Sequence, residues 1–226
     1  MNITSSILIT MVVVTMVLAG CNDNKSTVSE YSVQIMNLTD NQPLAPVAVV
    51  LHQSGYHVFS AGTAASPALE LLAESGDPVD IIAEANNSTN VLSTAATATA
   101  TLPGENSQLT LQGTDNDTVL SLAAMLVNTN DGFIGIDTLN LGDMQRGDTL
   151  TLLTNVYDAG TEANSETTTT IPGLGGEGFN IARDDHDLIG IHPGVISMDD
   201  GLNSSGLDQS HRFDNPAARI TVTRVK

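Results

Sequence analysis

Apolar and polar residues alternate with a period of two along much of the chain. Tyr31, Val33 and Ile35 interleave with Ser32, Gln34 and Met36, which predicts a half-buried strand. Asp40-Asn41-Gln42-Pro43 reads as a turn. Residues 47–52, Val-Ala-Val-Val-Leu-His, form a buried run rich in β-formers. His52 and His57 lie five apart in an extended segment, on opposite faces, and read as structural. The period then changes. Ser66-Pro67 has the chemistry of a helix start, Leu69, Leu72 and Ala73 form an apolar stripe, and Gly76 supplies a stop. Asp77-Pro78 opens a second short helix through Ala85, and Glu70, Glu74, Asp80 and Glu84 read as a solvated face.

Alternation of Thr and Ala over 94–101 predicts a thin or edge strand, because Ala is a poor β-former. Further strands follow at 108–112, 119–127 and 133–141. The run 149–157 is expected to pair with 133–141 across the turn at 142–147. Only two short helices interrupt the pattern, so the fold class is all-β, a single antiparallel β-sandwich. Trp is absent and Phe and Tyr number 4 and 3, which leaves Val, Leu, Ile and Ala to build the core.

The first residues follow a different logic. An apolar run at 7–18 has the length of a signal-peptide core and is short for a membrane span. It ends in Leu18-Ala19-Gly20-Cys21, which resembles a bacterial lipoprotein processing site, although the preceding segment lacks Lys and Arg. The reading is a signal peptide over 1–20, lipidation at Cys21, a polar tether over 21–29 and one domain over 30–226. Cys21 is the single cysteine, so disulfides and a cysteine nucleophile are excluded. Asn22 after the cysteine resembles the pattern of lipoproteins sent to the outer membrane, so the expected location is the bacterial cell envelope. The expected membrane contact is through the N-terminal lipid.

Acids outnumber bases 26 to 7, for a net charge of -19. That argues against nucleic-acid binding, which needs a basic surface. It leaves two readings, solubility and cation binding. Two apolar runs within 120–162 each end in an acidic, glycine-bearing turn: Asp131-Gly132 and Asp158-Ala159-Gly160-Thr161-Glu162. If both turns lie at one end of a sheet, three carboxylates converge, and hard oxygen ligands on loops favour calcium. The alternative is a pair of ordinary Asx-type turns. Asp115 and Asp117 pose the same choice more weakly. The glycine cluster at 173–178 lacks the strand, helix and Lys of a phosphate cradle.

Residues 127–135, Val-Asn-Thr-Asn-Asp-Gly-Phe-Ile-Gly, and Asp158 to Glu162 resemble two signatures of the spondin N-terminal domain family. The likeness extends to Tyr31-Ser-Val-Gln-Ile-Met-Asn-Leu-Thr39, Gln42-Pro43, His52, Phe59 and Gly62. It closes at Asn215-Pro-Ala-Ala-Arg-Ile-Thr-Val222. The resemblance implies a calcium-binding sandwich similar to calcium- and phospholipid-binding domains, with Asp131, Asp158 and Glu162 as metal ligands. It also implies a non-enzymatic adhesion module that meets an extracellular protein or glycan. Gly132 stands where animal members usually carry Trp.

A second acidic cluster, Arg183-Asp184-Asp185-His186-Asp187, offers a competing reading. With His192, and with His211 if it approaches in space, it could serve a metal-dependent hydrolase. The Gly-x-Ser-x-Gly and His-Glu-x-x-His motifs are absent.

Overall fold

The half-buried and fully buried strands separate into two sheets, as their patterns require. The computed structural model describes residues 28–114 and 117–226. The signal-peptide, Cys21 and most of the tether readings lie outside the described residues, as does Asp115. Within them, β1 (Val28–Asn37), β4 (Asn106–Thr114), β7 (Thr149–Thr154) and β10 (Ala218–Arg224) form a four-stranded antiparallel sheet in the order β4-β1-β10-β7. A six-stranded antiparallel sheet runs in the order β3-β2-β5-β6-β8-β9. Its strands are β2 (Ala48–His52), β3 (Val91–Ala96), β5 (Val119–Met125), β6 (Gly132–Asn140), β8 (Val156–Asp158) and β9 (Gly190–Ile191). The β-sandwich read from the alternation is the observed fold.

Alternation in β1 sends Tyr31, Val33 and Ile35 into the core between the sheets, where they meet Val49, Leu51, Leu120 and Leu122. Strands β2 and β5 are buried along their whole length, because the second face of the larger sheet is also covered. There Ala48, Val50 and Ala123 pack against Leu69, Leu72 and Ile81. Those residues belong to α1 (Pro67–Ser75) and α2 (Val79–Asn86). Ser66 caps α1 by accepting from Leu69 N at 3.2 Å, and Gly76 ends it at φ 72°. Among the described residues no helix is long and apolar enough to cross a membrane.

Three expectations are corrected. The run 149–157 is two strands. β7 pairs with β10 and β8 with β6, so the chain crosses between sheets at Asn155. The crossing is pinned where Asn215 Oδ1 accepts from Val156 N at 2.7 Å. The Thr–Ala strand stops at Ala96, on the sheet edge as its composition suggests. Thr97 turns its hydroxyl to accept from Val47 N at 2.9 Å, which ends the regular ladder. Glu70 and Glu74 are buried, at 6% and 0% exposure, while Asp80 and Glu84 are solvated. The chain after Gly178 lies over α1. Arg183 Nε donates to Glu70 at 3.0 Å, and Asn180 N donates to Glu74 at 2.9 Å.

Candidate metal centre

Strand direction brings the two acidic turns together. β6 starts at Gly132, which pairs antiparallel with Asp158, the last residue of β8. Asp131 and Asp158 therefore sit at the same end of the six-stranded sheet, and Ala159 N donates to the Asp131 carbonyl at 3.2 Å. Gly160 turns the second loop at φ 71°, and a Cβ there would lie 2.5 Å from the Leu188 carbonyl oxygen. Neither the turn nor that approach tolerates a side chain.

Asp131 is fully buried. Its Oδ2 accepts from the backbone N–H of Thr161 at 2.8 Å and of Glu162 at 3.1 Å. Its Oδ1 is buried with no hydrogen-bond partner. Burial, and then the charge of Asp158, push the Asp131 carboxyl up to about 7. Asp158 is 8% exposed. It accepts from Gly160 N at 2.8 Å and from Asn164 Nδ2 at 2.7 Å. Glu162 is buried, and its carboxyl is pushed up to about 8 by burial first and by the charge of Glu74 second, while Asn130 lowers it and Asp131 raises it further. Asp131 thus sits against the turn that carries Asp158 and Glu162, bonded to the Glu162 N–H.

The sequence reading missed four members of this neighbourhood. Glu166 is 1% exposed, and burial pushes it up to about 7, with Asp158 adding to the rise. Asn164 holds Asp158. Asn130 accepts from Glu166 N at 3.3 Å. His192 is buried, with its pKa lowered by desolvation and Asp158 as its charged neighbour. Asn130 stands beside Asp131, and Asn164 and Glu166 lie just past Glu162, so adjacency was the available signal. His192 had no local signal. Its ring explains Gly132: a Cβ there would meet Thr129 Oγ1 at 2.7 Å and His192 Cδ2 at 3.1 Å.

Among the described residues, no group of three or more His, Cys, Asp or Glu side chains is arranged to hold a metal ion. The donor chemistry fits a hard cation all the same. Asp131 Oδ1, Asn164 Oδ1 and Glu166 Oε2 are buried oxygens without partners. The groups acting most strongly on Asp131, Glu162 and Glu166 include no cation. An unpaired buried carboxylate is costly, so such groups take up a proton or a metal. Asp158 and Asn164 also line an open cavity of about 330 Å³ with Asp185, His186, Leu188 and Ile191.

The 184–187 cluster is partnered. Asp184 accepts from Ala163 N at 2.7 Å, Asp185 pairs with His186, and Asp187 pairs with Arg183. His192 accepts from Gly194 N at 3.0 Å and packs against Phe213. His211 pairs with Asp208 at 2.9 Å and lies beside Asn41. The two histidines go to different neighbours, and among the described residues no three of these side chains are grouped to hold a metal ion. The cluster straps the second acidic loop instead, through Asp184 N to Thr161 O and Asp187 N to Gly160 O.

The Spondin_N family profile matches residues 31–173, more than half of the chain. The chain belongs to the spondin N-terminal domain family. The matched span includes both acidic turns, and β10 completes the smaller sheet beyond it. A comparison with curated proteins finds no match. The family is one of non-catalytic modules, and membership supports a cell-surface or extracellular module.

Proposed function

We propose that the protein is a calcium-binding, non-enzymatic module of the cell surface. Asp131, Asp158 and Glu162 hold the ion in this reading. The observation that carries it is the buried, unpartnered Asp131 Oδ1 beside Asp158. Calcium accepts six to eight oxygens in irregular geometry, so backbone carbonyls and water complete the set. Bound calcium supplies the positive charge that these carboxylates lack. Thr161 and Glu162 N–H orient Asp131, and Asn164 orients Asp158. The loops then present a fixed surface to an extracellular protein or glycan, and the lipid on Cys21 tethers the domain to the bacterial cell envelope at the outer membrane.

Equilibrium dialysis against calcium and magnesium tests the reading. The expectation is one calcium per chain, with a dissociation constant of roughly 10⁻⁴ to 10⁻³ M as in extracellular modules. Magnesium should bind more weakly, because its small octahedron suits irregular loop ligands poorly. No calcium binding up to about ten times that range would overturn it.

A further inference from the structure

Glu166 lies on the loop after the second acidic turn, outside the three residues assigned above. The residue is 1% exposed. Oε1 accepts from Ile196 N at 3.2 Å, while Oε2 is buried and has no partner. The residue is strapped on both sides. Its N–H donates to Asn130 Oδ1 at 3.3 Å, and its carbonyl accepts from Gly206 N at 2.7 Å. Its φ is 58°, left-handed backbone that a glutamate rarely adopts. The surrounding bonds hold it there, as happens where a side chain must be aimed.

Its loop lies against both acidic turns, through Asn164 to Asp158 and through its own N–H to Asn130. Asp158 is a charged neighbour of Glu166 and of Asp131. Asn164, two residues before Glu166, binds Asp158 with its amide nitrogen and leaves its own Oδ1 buried and unpartnered. Asn130, which holds Glu166, immediately precedes Asp131. Glu162 differs, since its strongest charged neighbour is Glu74.

We infer that Glu166 supplies a further carboxylate ligand to the cation at Asp131 and Asp158, through Oε2, with Asn164 Oδ1 as a neutral donor. This rests on the calcium reading and extends it. The site thereby draws on the 163–166 loop, and its negative charge exceeds that of the three-residue set.

Calorimetric titration of calcium into the purified protein, wild type and Glu166→Gln, tests this. Glu166→Gln keeps shape and removes charge, and should weaken calcium binding at least about tenfold, with circular dichroism unchanged. Glu166→Asp serves if the Gln variant fails to fold. It keeps the charge, suits positive φ better, and withdraws the oxygen by one methylene, so it should also weaken binding. Wild-type binding with unchanged affinity in either folded variant overturns the assignment and leaves the calcium reading intact. A wild type that binds no calcium overturns both.

Discussion

Residues 184–187 and the turns at Asp131 and Asp158 look alike in sequence, as short polar stretches that carry acid. In the fold they are opposites. The 184–187 cluster is largely at the surface, with His186 side chain 88% exposed, and each acid has a partner. The sheet-end acids are buried, and two of their oxygens, on Asp131 and Glu166, have no partner. Local acid density therefore says little about cation binding. What distinguishes the sites is whether the charge is already compensated, by solvent, by Arg183 or by backbone N–H groups.

The contrast can be broken most forcefully at Arg183, whose side chain carries the surface cluster into the interior. Its guanidinium pairs with Glu70, whose side chain is 7% exposed. Arg183→Met strands that carboxylate and should cost about 3 kcal/mol in denaturant unfolding. Asp187→Asn touches the exposed end of the same arginine, at 51% exposure, and should cost less than about 1 kcal/mol. Equal losses would mean that the surface pair matters as much as the buried one.

Asp131→Asn should change sign with conditions. In chelator at pH 8 it removes an uncompensated charge and should stabilise by about 1 to 2 kcal/mol. In calcium it removes a ligand and should be less stable than wild type. A loss of the same size in both conditions would mark Asp131 as purely structural.

The pH dependence follows from the same groups. Asp131 and Glu166 are pushed up to about 7 and Glu162 to about 8, whereas unfolded Asp and Glu titrate near 4. Between about pH 4 and 8 the folded state thus binds more protons than the unfolded chain, and stability falls as pH rises. In chelator, the thermal midpoint should be higher at pH 5.5 than at pH 8. Calcium should shrink or reverse that difference, because it replaces the protons. The smallest effect belongs to the exposed cluster: His186→Ala should shift stability by less than about 0.5 kcal/mol and leave calcium affinity unchanged.

Much of this was legible in the chain. The period-two pattern gave the sandwich, and the continuous apolar runs at 47–52 and 119–127 marked the strands of the larger sheet. The approach of Asp131 to Asp158 was legible because Asp131 precedes β6, Asp158 ends β8, and those two strands pair. The split at Asn155 was hidden, since a run can change sheets without changing its local pattern. The burial of Glu70 and Glu74 was hidden too. It depends on a segment more than 100 positions later, through Arg183 and Asn180. The places of His192 and Glu166 beside the acidic turns were hidden for the same reason. A distant histidine fills the space beside Gly132, and the Glu166 position is fixed by Asn130, Ile196 and Gly206.

Thermal unfolding of wild type and Asp158→Asn, each in calcium and in chelator, tests the central claim most directly. At about 100 times the dissociation constant, calcium binding to the folded state contributes about 2.7 kcal/mol, or roughly 5 to 10 °C for a chain of this size. Wild type should show that rise. Asp158→Asn, which removes one charge with little change of shape, should show little or none. No rise in wild type, or the same rise in both proteins, would contradict the account.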